Sequence, residues 1–406
     1  MSQGVPLGSP VHGVTGTEAI HETYGLTGQG VRVAVVDSGV DYKHPGLEGW
    51  LGPGCRISFG YDLVDNDADP YDDCDGHGTH VMGILAANDT RVQIIAPGAT
   101  FGAYQRAQVI NISIGFPDVW PDYPLSHTAQ YYVERGVVIV AAAGNQGVAG
   151  LWRIGSSASA PGVIAACSFD ASQYRAFYFT ISGVKEHIDY FFSPPAGVDT
   201  DTDGSVHLGQ YPIVSMALLE PDNTDACQPI QTRLDGRVVM VKRGGICTTD
   251  DKADNARNAG AAAVIVYNNV MIFKGHNALP SYISPWGLSP DFNLKPDVCG
   301  LGGFILSTFP LSRGGYATLS GTSRAAPYIA GVAALYLQMD GTQQADAVRR
   351  KLMNSARPYL SKPSDKMLTS AAKQGAGLSL NGDAYHTQPV SSTGSIHDEA
   401  YAGCCN

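Results

Sequence analysis

The chain lacks an excess of basic charge. Its 26 lysines and arginines stand against 37 aspartates and glutamates, a formal net charge of −11. No positive patch is available to neutralise phosphates, which argues against nucleic acid as a partner. No run of about 18 apolar residues is present, so no membrane-spanning helix is expected and no membrane partner. Internal repeats and low-complexity tracts are absent. Met1 is followed by Ser-Gln-Gly-Val-Pro, with neither a basic stretch nor an apolar core of the secretory kind, so the sequence reads as having no signal peptide. Eight cysteines are too few to build a disulfide scaffold. Cys55 and Cys74 flank one acidic loop, and Cys227 and Cys247 flank a second segment; each spacing would close a short loop, as secreted proteins often do. Reduced thiols are the other reading.

What the chain does have is a large apolar fraction, 44%, with 16% charged residues over 406 positions. That composition describes a globular protein with a sizeable core, in two domains or in one large domain with an insertion. Short apolar runs at Val31–Val36, Val109–Ile114, Val137–Ala143 and Val163–Cys167 read as buried parallel strands. Helical patterns lie at Val81–Ala87, Ser126–Arg135, Ala325–Met339 and Ala345–Ser355. In the last, Val348 and Leu352 share a face while Arg349, Arg350 and Lys351 turn mostly to water. Strands alternating with helices imply an α/β layered sheet. From residue 172 to 278 the pattern changes: strands are expected at Val238–Val241 and Ala262–Tyr267, with a helix at Asp250–Ala259. This reads as a small domain inserted between residues 15–171 and 279–381, with a loosely held polar tail from 382 to 406.

Three motifs carry chemistry. Asp37 ends the first apolar run and precedes Ser38-Gly39, a turn that leaves its carboxylate at the carboxyl edge of the sheet. His77 lies in Asp75-Gly-His-Gly-Thr-His80, where glycines let backbone pack closely before a helix. Ser323 lies in Ser320-Gly-Thr-Ser-Arg-Ala-Ala-Pro327 at the start of an apolar helix, where a backbone N–H is free. Alone, each motif is as easily a turn or a loop. An α/β-hydrolase is excluded, because it would need Gly-x-Ser-x-Gly and the serine first in chain order, whereas here the order is Asp, His, Ser.

Together with Val35-Val-Asp-Ser-Gly-Val-Asp41, Gly76-His-Gly-Thr-His-Val81, Ala141-Ala-Ala-Gly-Asn145 and Gly321-Thr-Ser323, this order resembles the subtilase family of serine endopeptidases. The resemblance implies a subtilisin-like doubly wound, mostly parallel sheet. It gives Asp37, His77 and Ser323 the roles of orienting acid, general base and nucleophile. It assigns the oxyanion hole to the Asn145 side chain and the Ser323 backbone N–H. It lines a substrate channel with Ile112, Ser113, Ile114 and Gly115 and with Ala142, Ala143 and Gly144. Protein or peptide substrates and an extracellular location follow from the same resemblance, and the chemistry requires no cofactor.

The segment Gly236-Arg-Val-Val-Met-Val-Lys-Arg-Gly-Gly-Ile-Cys247 with Lys252–Asn269 resembles a protease-associated domain, a small β-rich α+β module that certain secreted subtilases carry between the His and Ser blocks. Such a module implies protein contacts or control of substrate access; a plain spacer is the alternative.

Calcium is the one metal with any sequence signal. Asp199-x-Asp-x-Asp-Gly204 copies the first half of an EF-hand loop, but Gln210 replaces its closing Glu, and a solvated turn fits as well. The acidic stretch Asp62–Asp75 is a second, equally unspecific site. Asn88-Asp-Thr90 is a glycosylation sequon; Asn111-Ile-Ser113 is another, expected to be inaccessible on a core strand.

Several features depart from the family pattern. Phe101–Tyr104 and Val109–Ile114 are both strand-like with only Gln105–Gln108 between them, too short for a crossover between parallel neighbours. The inserted segment stops soon after Asn269. Arg324 follows the serine where the family most often has Met, and a buried Arg there needs solvent or a carboxylate. Cys299–Leu301 replaces the usual Ala-Pro-Gly-Gly context, and no inhibitory pro-segment is evident before Val31. An internally shortened protease is expected, with a silent binding protein or a chain that does not fold stably as alternatives.

Overall fold

The computed structural model describes residues 15–379, except 90–91, 93, 103–106, 118–119, 172–176, 186–187, 191–209, 268–278, 342–343 and 362–366. The EF-hand-like run, the polar tail, Thr90 of the first sequon and Cys404 and Cys405 therefore lie outside the described residues. The chain divides into two compact units: Met1–Val198 with Gly275–Asn406, and Asp199–Lys274.

The first unit is built on a nine-stranded sheet. Its early strands are β1 (Arg32–Val36), β2 (Ile57–Phe59), β3 (Thr100–Gly102), β4 (Val109–Ile112), β5 (Val138–Ala142) and β6 (Ile164–Asp170). A hairpin of β7 (Phe177–Phe179) and β8 (Ile188–Tyr190) stands apart from it. The second unit contains β9 (Ile213–Ser215), β10 (Val238–Lys242) and β11 (Ala263–Tyr267). After it come β12 (Val298–Gly303), the hairpin β13 (Ile305–Thr308) and β14 (Tyr316–Leu319), then β15 (Ala356–Arg357) and β16 (Leu378–Ser379).

The order of the large sheet is β15-β16-β12-β6-β5-β4-β1-β3-β2, and every pairing except β15 with β16 is parallel. From β1 the chain first goes to β2 at the edge and returns to β3 beside β1 on one side, then builds outward through β4, β5 and β6 on the other. The reversal puts a topological switch point at β1 and β4, where ligands of doubly wound sheets gather beyond the carboxyl ends of the strands.

Both faces of the sheet are covered, which is why its central strands are continuous apolar runs. Along β5 the faces alternate: Val138, Val140 and Ala142 join one core cluster, while Ile139 and Ala141 join the other. The first face is covered by helices His77–Ala86 and Thr322–Asp340. In the second of these every residue from Thr322 to Leu337 is buried, as expected of a helix apolar on all sides. The second face receives Ala129 and Ala158 from helices Pro124–Val133 and Ser156–Ser159.

The short connection has a topological answer. β3 and β4 are not neighbours: they flank β1, with Phe101 and Val109 both level with Val33. Residues 103–106 of the connection lie outside the described residues; beyond them Gln108 is docked, its N–H donating to Arg32 O at 3.0 Å.

The pairing expected between Cys55 and Cys74 is not made; both are free thiols. The Cys74 N–H instead donates to Asp72 Oδ1 at 2.9 Å, and its thiol faces Asp73. Spacing along the chain does not fix the direction of Cβ, which decides whether two cysteines can join. Cys227 and Cys247 are joined, as their spacing suggested, and a second bridge, Cys167–Cys299, links β6 to β12. Sequence reading missed that bridge because its cysteines are 132 residues apart and meet only through the register of two strands.

In the second unit β11, β10 and β9 form a parallel sheet, and helix Thr249–Asn258 supplies the crossover between β10 and β11. That helix opens with a complete capping box: Thr248 Oγ1 accepts from the Asp251 N–H at 3.1 Å, and Asp251 Oδ2 accepts from the Thr248 N–H at 2.8 Å. Met216, Leu234, Val239, Val241 and Ala256 form its own small core.

Candidate active site

Asp37 follows the last residue of β1, and His77 opens the helix that packs beside it. The two backbones approach so closely that a Cβ on Gly78 would lie 2.0 Å from Gly39 O. Only glycine permits that approach, and it brings His77 Nδ1 to 2.6 Å from Asp37 Oδ1. The Asp37 side chain is 2% exposed and that of His77 27%. Asp37 Oδ1 also accepts from the Ser38 N–H at 2.9 Å. A carboxylate only accepts, so Nδ1 carries the proton and Nε2 keeps its lone pair.

Ser323 is the second residue of helix Thr322–Asp340, among the first four N–H groups that lack intrahelical partners. Its carbonyl is also unusual. Four residues on stands Pro327, which has no N–H to donate back to it. Ser113 fills that role: its Oγ donates to Ser323 O at 3.0 Å and in turn accepts from Asn111 Nδ2 at 2.9 Å. This explains two polar side chains, 0% and 5% exposed, on a core strand and its extension. They hold the backbone that presents Ser323. Asn111 is fully buried, as its place on a core strand implied.

Asn145 lies just past β5. Its Oδ1 accepts from the Thr322 N–H at 3.0 Å, and its own N–H donates to Gln146 Oε1 at 2.9 Å. Thr322 Oγ1 accepts from the Gly144 N–H at 3.0 Å and has Gly144 O at 3.0 Å and Asn145 Oδ1 at 3.2 Å as acceptors for its single proton. With the amide oxygen so held, Nδ2 is left as a directed donor. A Cβ placed on Gly321 would be 3.1 Å from Ser323 Oγ and 3.4 Å from Asn145 Nδ2, so both groups border the same small space beside Gly321.

These residues open on a cleft of about 230 Å³ lined by His77, Ser113, Ile114, Gly115, Ala142, Gly144, Asn145 and Ser323, together with Pro117, Gln146, Gly155 and Thr322. Ile112 and Ala143, expected in the channel, lie instead in the core cluster on the second face of the sheet. The period of two in a strand sends every other residue away from the cleft. Thr322, Asn111 and Pro327 were missed as supports of the site. Of these, Pro327 had a readable signal, since a proline four residues after the serine frees the serine carbonyl.

Arg324 is buried at 6% exposure. Burial pushes its guanidinium down to about 10, opposed by the charges of Asp37 and Asp75, so it stays cationic at neutral pH. The one side-chain hydrogen bond that Arg324 makes among the described residues is from Nη1 to Ser323 Oγ, and its Nε has no partner there. Among the described residues no hydrogen bond joins Ser323 to His77. His80, one turn from His77, is fully buried with Nε2 donating to Ala317 O at 3.0 Å and Ile305 O at 3.2 Å. Burial, then the Arg324 charge, holds it well below its ordinary value, so it is a neutral structural group. Among the described residues no three His, Cys, Asp or Glu side chains are grouped to hold a metal ion.

Comparison with known proteins agrees with this geometry. The chain is 28% identical over 451 aligned positions to the minor extracellular protease Vpr of Bacillus subtilis (strain 168), covering 91% of this chain and 53% of that protein. It is 31% identical over 225 positions to subtilisin NAT of Bacillus subtilis subsp. natto, covering 49% of this chain and 55% of that one. A thermophilic serine proteinase of Bacillus sp. (strain AK1) is 37% identical over 151 positions, 31% of this chain and 35% of the relative. The chain thus spans at most about half the length of these relatives. A model of the subtilase family matches residues 28–105 and 91–377, two matches that overlap at residues 91–105. The sheet, the cleft at its switch point and this match over most of the sequence agree: the chain belongs to the subtilase family.

Proposed function

We propose that the protein is a serine endopeptidase in which Ser323 attacks the scissile carbonyl and forms an acyl-enzyme. The observation that carries this reading is that His77, already oriented by Asp37, lines the same cleft as Ser323 and Asn145, whose Oγ and Nδ2 both border the space beside Gly321. His77 Nε2 takes the Ser323 proton as Oγ bonds to the carbonyl carbon, and Asp37 stabilises the imidazolium that forms. The developing oxyanion receives hydrogen bonds from Asn145 Nδ2 and the Ser323 N–H; each such donor contributes about 3 kcal/mol to the transition state. His77 then gives its proton to the leaving amine, and water repeats the sequence to release the acid.

Protein or peptide substrates and an extracellular setting fit this reading, supported by the kinship with an extracellular protease and by two disulfides. The inserted unit serves as a protease-associated module for protein contacts. A catalytically silent binding protein is the second reading, and one observation favours it: Ser323 is bonded to Arg324 and not to His77.

Cleavage of an unfolded protein substrate separates the two. The wild-type chain is expected to produce fragments and Ser323→Ala to produce none; equal cleavage by both, or none by a folded wild type, would reject the peptidase reading.

A further inference from the structure

We infer that Arg324 is a built-in restraint on the nucleophile, holding Ser323 in an arrangement that must break before His77 can use it. The inference rests on the reading of Ser323 as nucleophile. The guanidinium donates to Ser323 Oγ, and Arg324 is buried on the helix turn that carries the serine. Asp37 and Asp75 attract the cation towards the site, while His80 on the facing helix is a buried neutral group that offers it no charge.

Two consequences follow from elementary chemistry. A charge-assisted hydrogen bond draws electron density from Oγ and occupies a lone pair, so the oxygen is a weaker nucleophile. Among the described residues Oγ also makes no hydrogen bond to His77, so its proton, which the guanidinium does not engage, cannot pass to the base until Oγ moves. Arg324 thus touches the reacting atom in the resting enzyme and loses that contact on the way to the transition state. An interaction stronger in the ground state than in the transition state slows the chemical step. A neutral, unbranched side chain of similar length removes the restraint without emptying the space.

The test is the second-order rate of labelling by a fluorophosphonate, which reports the reactivity of the serine alone. Arg324→Met is expected to label about tenfold faster than wild type, the effect of losing one charge-assisted contact. Arg324→Lys, which keeps the charge on a flexible stem, is expected to fall between the two. Thermal melting establishes that each variant is folded. Labelling of Arg324→Met at or below the wild-type rate, in folded protein, overturns the restraint while leaving Ser323 as nucleophile. Labelling of folded Arg324→Met with a silent wild type supports it most strongly. Absence of labelling in every folded variant overturns the nucleophile reading, and the restraint falls with it.

Discussion

Asp37→Asn is expected to lower kcat/KM by about four orders of magnitude with little change in thermal stability. The carboxylate does two things that an amide cannot. It accepts from His77 Nδ1 at 2.6 Å, which leaves Nε2 unprotonated, and it supplies a buried negative charge opposite the imidazolium formed during attack. An amide is neutral. Either its NH2 turns to Nδ1, which stabilises the wrong imidazole tautomer, or its oxygen stays and its NH2 takes the position of Oδ2. That position is buried and has no hydrogen-bond partner among the described residues. In the first case His77 arrives with its proton on Nε2 and is no base; in the second the imidazolium has lost its counter-charge. Measurement of kcat/KM on a peptide substrate, with melting curves alongside, checks this. A loss of less than tenfold in folded protein would show that Asp37 does not orient the base.

The largest effect on stability is expected at Asp297, which does not line the cleft. Its carboxylate is fully buried and receives four donors: Lys295 Nζ at 2.7 Å and the Ala165 N–H at 2.8 Å on Oδ2, and Arg349 Nε at 2.8 Å and Nη2 at 2.5 Å on Oδ1. Its backbone N–H donates to Ala165 O at 3.0 Å, so the residue sits where β12 joins β6. Burial pushes the Lys295 ammonium below the ordinary lysine value, and the Asp297 charge pushes it back up. Asp297→Ala leaves that ammonium with only the Val163 and Pro161 carbonyls, and leaves the Ala165 N–H unpaired. Removing one partner of a buried ion pair costs about 3–5 kcal/mol, because the remaining charge stays desolvated. Urea unfolding should show that loss. A change below about 1 kcal/mol would mean that Lys295 finds water or another acceptor on substitution, and that the cluster does not tie the strands and helix Ala345–Asn354 together.

Much of the framework was legible in the sequence because burial on two faces writes a strand as an apolar run. Val31–Val36 and Val137–Ala143 shift by a residue or so at their ends to become β1 and β5, and the helix after Ser323 announces itself by its alanines. The site was legible where the chemistry leaves residues that a fold alone does not need: an Asp after a strand, a His between glycines, and a Ser at a helix start. What escaped depends on which strands become neighbours. The Cys167–Cys299 bridge and the placing of β3 and β4 on either side of β1 are facts of sheet order, and no local pattern encodes them. The support of the serine was half written. Asn111 and Ser113 stand out as polar residues on and just beyond a core strand, and Pro327 removes the donor that they replace, yet only the fold brings them within reach. Arg324 was conspicuous as a charge in an apolar helix, but that its outlet is the Ser323 hydroxyl is a matter of geometry.

That Ser323 is the reactive nucleophile is tested most directly by peptide mapping after exposure of the folded chain to a fluorophosphonate. A single adduct on Ser323, absent from His77→Ala, is the predicted result. No adduct on either the folded wild type or folded Arg324→Met, or an adduct on a different residue, would contradict it.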